Sequence, residues 1–107
     1  MFTRIVECYV KKDKRQDFSN RRREKVLPIL QSQPGFVDML ALASEDEPER
    51  MVSISLWKSR AEAERYHDER YEEIVQLIRP LLRDEPSVEL YNVETSTAHR
   101  IATGKAA

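Results

Sequence analysis

"ERMVSISLWKS", residues 49–59, holds a strand and the start of a helix. Alternation from Met51 sets Ser53, Ser55 and Trp57 on one side of an extended chain, and Val52, Ile54 and Leu56 on the other. Ser59 follows, with Glu62 three residues on, which is the pattern of a helix N-cap and capping box. A strand therefore ends at Trp57 and a helix begins at Ser59. A strand with one aliphatic face usually turns charges to water on the other. Here that second face carries two hydroxyls and the chain's only tryptophan.

Working outward, "FTRIVECYV" (2–10) alternates Val6, Cys8 and Val10 against Ile5, Glu7 and Tyr9, as a first strand does. "DKRQDFSNRRREKVLPILQSQ" (13–33) is helical, with Phe18, Val26, Ile29 and Leu30 on its apolar side. Pro28 removes a backbone donor and is expected to kink or divide that helix. "QPGF" (33–36) stops it, "FVDMLALAS" (36–44) is a second strand, and the polar "EDEPE" (45–49) turns into the third. The capped helix spans 59–78 and "SVELYNVET" (87–95) is a fourth strand. The order β-α-β-β-α-β predicts an α+β, ferredoxin-like domain over residues 1–95, with residues 96–107 as a C-terminal tail. The tail is small and polar, and is expected to lie along a partner chain or a lattice neighbour.

With 107 residues and 40% apolar content the chain holds one modest core, so assembly would help it. Charged residues reach 35%, but the net charge is −1, which excludes a globally basic nucleic-acid binder. The run at 11–25 carries eight Lys or Arg against three acids, hence +5, and reads as a solvated helix face. Cys8 is the single cysteine, so no disulfide closes within the chain, and it reads as an inert core thiol. There is no signal-like segment or long apolar run, so a cytoplasmic protein without membrane contact is expected. No His, Asp, Glu or Cys spacing matches a metal site.

The two helices need one face of the sheet. Val6, Cys8, Val10, Val52, Ile54, Leu56, Val88 and Leu90 are expected to form that buried layer. The opposite face would then carry Ile5, Glu7, Tyr9, Ser53, Ser55, Trp57, Glu89, Tyr91 and Val93. It is too aromatic for open water and too polar for a plain core, so it fits a cavity lining. A second copy packed by two-fold symmetry would close it.

"QPGFVDMLALAS", "MVSISLWKSRAEAERYH" and "LLRDEPSVELYNV" together resemble the antibiotic biosynthesis monooxygenase family over residues 2–95. Pro34-Gly35-Phe36 opening one strand and Trp57-Lys58-Ser59 closing another carry the resemblance. It implies homodimers whose sheets form an α+β barrel. Its members include cofactor-free oxygenases of polycyclic aromatics, quinol oxygenases and haem-degrading enzymes. Trp57 matches their pocket-facing tryptophan. The aromatic-oxidising members place an asparagine where this chain has Ser53. The haem-degrading branch uses an asparagine where Glu7 stands, and a histidine near Ile74, Val75 and Gln76. His67 lies roughly two helical turns earlier.

The candidate site residues are therefore Glu7 and Trp57 for chemistry, with Tyr9, Ser53, Ser55, Tyr66, His67 and Tyr91 for substrate. Trp57 reads as a pocket wall or as a packed anchor. Glu7 reads as a desolvated base or as the partner of an Arg or Lys. Tyr66 and His67 belong to the second helix, on and beside its apolar stripe. Two functions follow. One is a monooxygenase without cofactor or metal, acting with O₂ on a small or polycyclic phenol or quinol. The other is a non-catalytic dimeric module for a small ligand. A haem-degrading monooxygenase ranks third, since the proximal histidine is not in place.

Overall fold

A computed structural model of the chain describes residues 1–101. Strands β1 (Phe2–Tyr9), β2 (Phe36–Ala43), β3 (Arg50–Trp57) and β4 (Ser87–Asn92) form one sheet in the order β2-β3-β1-β4. Every neighbouring pair is antiparallel. Two helical arms cover one face, which gives the expected β-α-β-β-α-β fold. Among the described residues no helix is long and apolar enough to cross a membrane.

The first arm comprises α1 (Arg15–Arg21), a π-helical turn (Arg22–Val26) and α2 (Leu27–Gln31). Pro28 has no N–H to return to the preceding turn, and its ring crowds the carbonyl four residues back. The helix answers by widening, and the Leu27 N–H reaches the Arg22 carbonyl, five residues back. The expected break is thus a π turn. It also straightens a stripe. Phe18, Arg22, Val26 and Leu30 are spaced by four, and in a regular helix each such step over-rotates by about 40°. The wide turn absorbs that drift, so all four line the same space against the sheet.

The second arm is α3 (Arg60–Ile78), capped by Ser59, whose Oγ accepts the Glu62 N–H at 3.2 Å. Ala63, Tyr66, Ile74, Val75 and Ile78 are its buried residues. Gly35, at φ 82°, makes the turn into β2, and its carbonyl accepts the Lys58 N–H at 2.8 Å. The two ends of the β2–β3 pair are thereby tied beside the α3 cap.

The facing of β3 corrects the sequence expectation. β1 and β3 pair as Phe2↔Trp57, Arg4↔Ser55, Val6↔Ser53 and Cys8↔Met51. Residues directly opposite share a face, so the even positions of β1 lie with the odd positions of β3. Met51, Ser53, Ser55 and Trp57 face the helices. Val52, Ile54 and Leu56 lie with Ile5 and Glu7 on the outer face. β4 pairs Val6↔Val88 and Arg4↔Leu90, so its expected facing stands, although Leu90 remains 50% exposed at the sheet edge.

Beyond β4 the chain folds back on itself. The Val93 N–H donates to the Met1 carbonyl, and His99 Nε2 lies 3.2 Å from Asp38 Oδ2. The tail was expected to lie along a partner chain or a lattice neighbour. As far as residue 101 it meets its own β2, and residues 102–107 lie outside the described residues.

Candidate active-site cleft

The helix-facing side of the sheet does not close completely. Between β1, β3 and the two arms remains a cleft of about 60 Å³. Ser53 and Ser55 supply hydroxyls from β3, and Tyr66 and Tyr71 supply rings from α3. Met39 and Met51 come from β2 and β3, and the Phe18–Leu30 stripe forms the far wall. No carboxylate lines it.

Trp57 is fully buried directly behind this wall. Tyr66 stacks on it at 4.9 Å between ring centroids, and Phe36 meets it edge-on at 5.6 Å. Such aromatic pairs add about 0.5–1.5 kcal/mol each beyond burial. Its Nε1 donates to Ser55 Oγ at 3.0 Å. Since that bond uses a lone pair of Ser55, the serine's own proton is free to donate elsewhere. Trp57 therefore fixes two lining residues, Tyr66 by stacking and Ser55 by hydrogen bonding.

Arg4 is 2% exposed, an uncommon place for a cation. Its guanidinium carbon sits 4.9 Å from the Tyr66 ring centroid and 4.7 Å from that of Tyr71. Its Nη2 lies 3.1 Å from His67 Nδ1. A guanidinium only donates, so that nitrogen of His67 accepts and the ring proton is on Nε2. Arg4 Nε is buried with no hydrogen-bond partner. Among the described residues, none of the ion pairs involves Arg4 or Arg22.

Burial shifts the titrating groups around the cleft. Burial pushes the Tyr66 hydroxyl up to about 12, against the pull of Arg4. Burial likewise raises Tyr71 and lowers Arg22. The Cys8 thiol is pushed up to about 11 by burial, with Arg22 opposing, so it stays protonated at neutral pH and is a poor nucleophile.

The structure thus brings together Ser53, Ser55 and Tyr66 at the cleft, with Trp57 behind them. His67 lies across Arg4, on the rim of a second groove between α3 and β4. Glu7, Tyr9 and Tyr91 stand on the outer face, apart from Trp57. Glu7 is paired with Arg50, and Arg83 covers Tyr9 at 5.0 Å. For Glu7 the geometry supports pairing, and the expected juxtaposition with Trp57 does not form because β3 faces the other way. Sequence reasoning passed over Arg4, Arg22, Met39, Met51 and Tyr71. One signal was present: Arg4 has the same parity as Val6, Cys8 and Val10, a lone charge on the side of β1 read as buried.

The family model for antibiotic biosynthesis monooxygenases matches residues 1–76. The chain belongs to this family. The matched span contains every lining residue named above. No curated protein sequence matches the chain. Solved structures supply the fold. The cofactor-independent oxygenase SnoaB from Streptomyces nogalater superposes with a TM-score of 0.77 at 17% identity, covering 92% of this chain and 97% of its own. A monooxygenase from the gene ActVA-Orf6 of Streptomyces coelicolor, in complex with nanaomycin D, gives 0.75 at 18% identity over 89% and 88%. A conserved protein from Methanosarcina mazei gives 0.73 at 22% identity over 85% and 91%. At these identities the monooxygenase fold is shared while the side chains of the cleft are this chain's own.

Proposed function

We propose that this protein is a monooxygenase that oxidises an electron-rich phenol or hydroquinone with O₂, without a cofactor, in the helix-facing cleft. The observation that carries the proposal is the cleft's lining: aromatic walls, a largely apolar surface and two serine hydroxyls, within a fold whose solved relatives include oxygenases. A phenol enters as its phenolate, its proton left to solvent and regained when water forms, and the electron-rich anion passes an electron to O₂. Recombination forms a ring C–O bond. One oxygen atom then leaves as water and the other stays as a quinone carbonyl, so phenol and O₂ balance quinone and water. Hydrogen bonds from Ser53 and Ser55 favour the oxyanion, and a dry site strengthens them. The neighbouring relatives named for an oxygenase activity and for bound nanaomycin D support an aromatic substrate.

At 60 Å³ the cleft is smaller than the roughly 150 Å³ cavity that admits benzene, so a ring must displace side chains. Met39 and Met51 are unbranched and adaptable. An oxygen electrode with a panel of naphthols and hydroquinones tests the activity. Uptake of O₂ with a product that has gained one oxygen and lost two hydrogens supports it, whereas no uptake above the enzyme-free rate across the panel opposes it. The absence of a carboxylate from the lining favours the second reading, a non-catalytic binding module, because no anionic base is at hand.

The same proposal includes a homodimer. Leu40 at 57%, Leu42 at 45% and Tyr91 at 47% exposure join Ile5, Val52, Ile54 and Leu56 on the outer sheet face. A second copy packed there would cover them. Light scattering at micromolar concentration distinguishes a dimer, as expected, from a monomer.

A further inference from the structure

We infer that the cleft binds its ligand as an aromatic oxyanion held by Arg4 and Arg22. Both residues line the same space. Arg4 comes from β1 and Arg22 from the π turn. Neither has a carboxylate partner among the described residues, and no acid lines the cleft. Arg4 is the stronger anchor, being 2% exposed with its Nε donor unmatched. The rings of Tyr66 and Tyr71 offset its charge in part through their π faces. A ring face does not accept the in-plane Nε–H, so a buried donor still lacks an acceptor. The Arg22 guanidinium lies over the Phe18 ring, 5.4 Å away, and has no ion-pair partner among the described residues.

A site with two cations that have no carboxylate partner among the described residues, two free serine protons and no acid attracts negative charge. Its apolar remainder rejects a bare hydrated ion such as phosphate, because the ring walls offer nothing in return for lost hydration. The chemistry that satisfies both demands is an oxyanion on a flat apolar body: a phenolate, an enolate of a hydroxyquinone or an aromatic carboxylate. The π turn contributes directly, since it turns Arg22 onto the stripe that faces Arg4. The inference rests on the cleft being the ligand site. It does not require turnover.

Calorimetric titration with 4-nitrophenolate and with its neutral ether, 4-nitroanisole, at a pH where the phenol is ionised, tests it. The wild-type protein should hold the anion about tenfold or more tightly over the ether, since a charge-assisted hydrogen bond contributes that much. Arg4→Met and Arg22→Met should each bring the two probes to within about twofold. Arg4→Lys should recover part of the preference. Octanoate separates aromatic from aliphatic carboxylates, and binding as tight as the nitrophenolate would overturn the aromatic part. Equal binding of anion and ether by the wild type overturns the inference, and so does an anion preference that survives Arg4→Met. If Arg4→Met does not fold, Arg4→Lys and Arg22→Met carry the same comparison. The two proposals fail separately. Oxygen uptake that is equal in wild type and Arg4→Met leaves the oxygenase and removes the anion site. Anion binding through Arg4 with no uptake from any phenol does the reverse.

Discussion

Trp57 and Cys8 show how single residues set the interior. Trp57 is stacked on Tyr66, meets Phe36 edge-on and is hydrogen-bonded through its one donor. Trp57→Ala is expected to cost about 3–5 kcal/mol, as large aromatic truncations in cores do, and a urea denaturation curve reads it. A loss under about 1 kcal/mol would mean that the tryptophan borders open space. Cys8 makes the interior sensitive to alkali. Unfolded, its thiol ionises near the ordinary value of 9.0, whereas the folded state holds the proton up to about 11. Fewer protons are bound in the unfolded state across that window, so stability falls as pH rises through it and is unaffected below it. The loss is on the order of 3 kcal/mol, from two units at about 1.4 kcal/mol each. Tyr66, held up to about 12, extends the decline above pH 10. Denaturation at pH 8 and pH 10.5 should show a smaller drop for Cys8→Val than for wild type. Equal drops would contradict the assignment.

At the scale of elements, Gly35 is the joint between β2, β3 and α3. Its φ of 82° suits glycine, and a Cβ there would come 2.4 Å from Glu62 Cδ. Gly35→Ala should therefore destabilise by more than about 1 kcal/mol and lower the melting temperature by roughly 4 °C or more. An unchanged melt would mean that the turn readily relaxes. Element order was legible because each strand and helix carries its own local period, cap or breaker, and Ser59 with Glu62 is the clearest case. The facing of β3 was not legible. β1 and β3 are separated by a helix and another strand, so nothing local sets whether Val6 sits opposite Ser53 or Val52. Val52, Ile54 and Leu56 look like a core face because they are apolar, yet an apolar outer face serves equally well where a second copy covers it. That one inversion moved Glu7 away from Trp57 and hid Arg4 and Arg22 from the candidate site. Pro28 gave notice of an irregularity, but not that a π turn would aim Arg22 inward.

For the molecule as a whole, the sheet separates two apolar sides with different roles. The helix-facing side is largely buried, aromatic and cationic, which suits a ligand with an oxyanion. The outer side is aliphatic, with Leu40, Leu42 and Tyr91 exposed, which suits a flat contact with a second copy. The α+β order that the sequence made plain fixes both sides, and the pairing register assigns the residues to each. The central claim is that the substrate enters between helices and sheet. A crystal structure of the protein soaked with a naphthol tests it most directly. The account predicts the ring beside Ser53 and Tyr71, its oxygen within hydrogen-bond distance of Arg4, and Met39 or Met51 displaced. A ring bound instead on the outer face beside Glu7 and Tyr91, with the cleft unchanged, would contradict it.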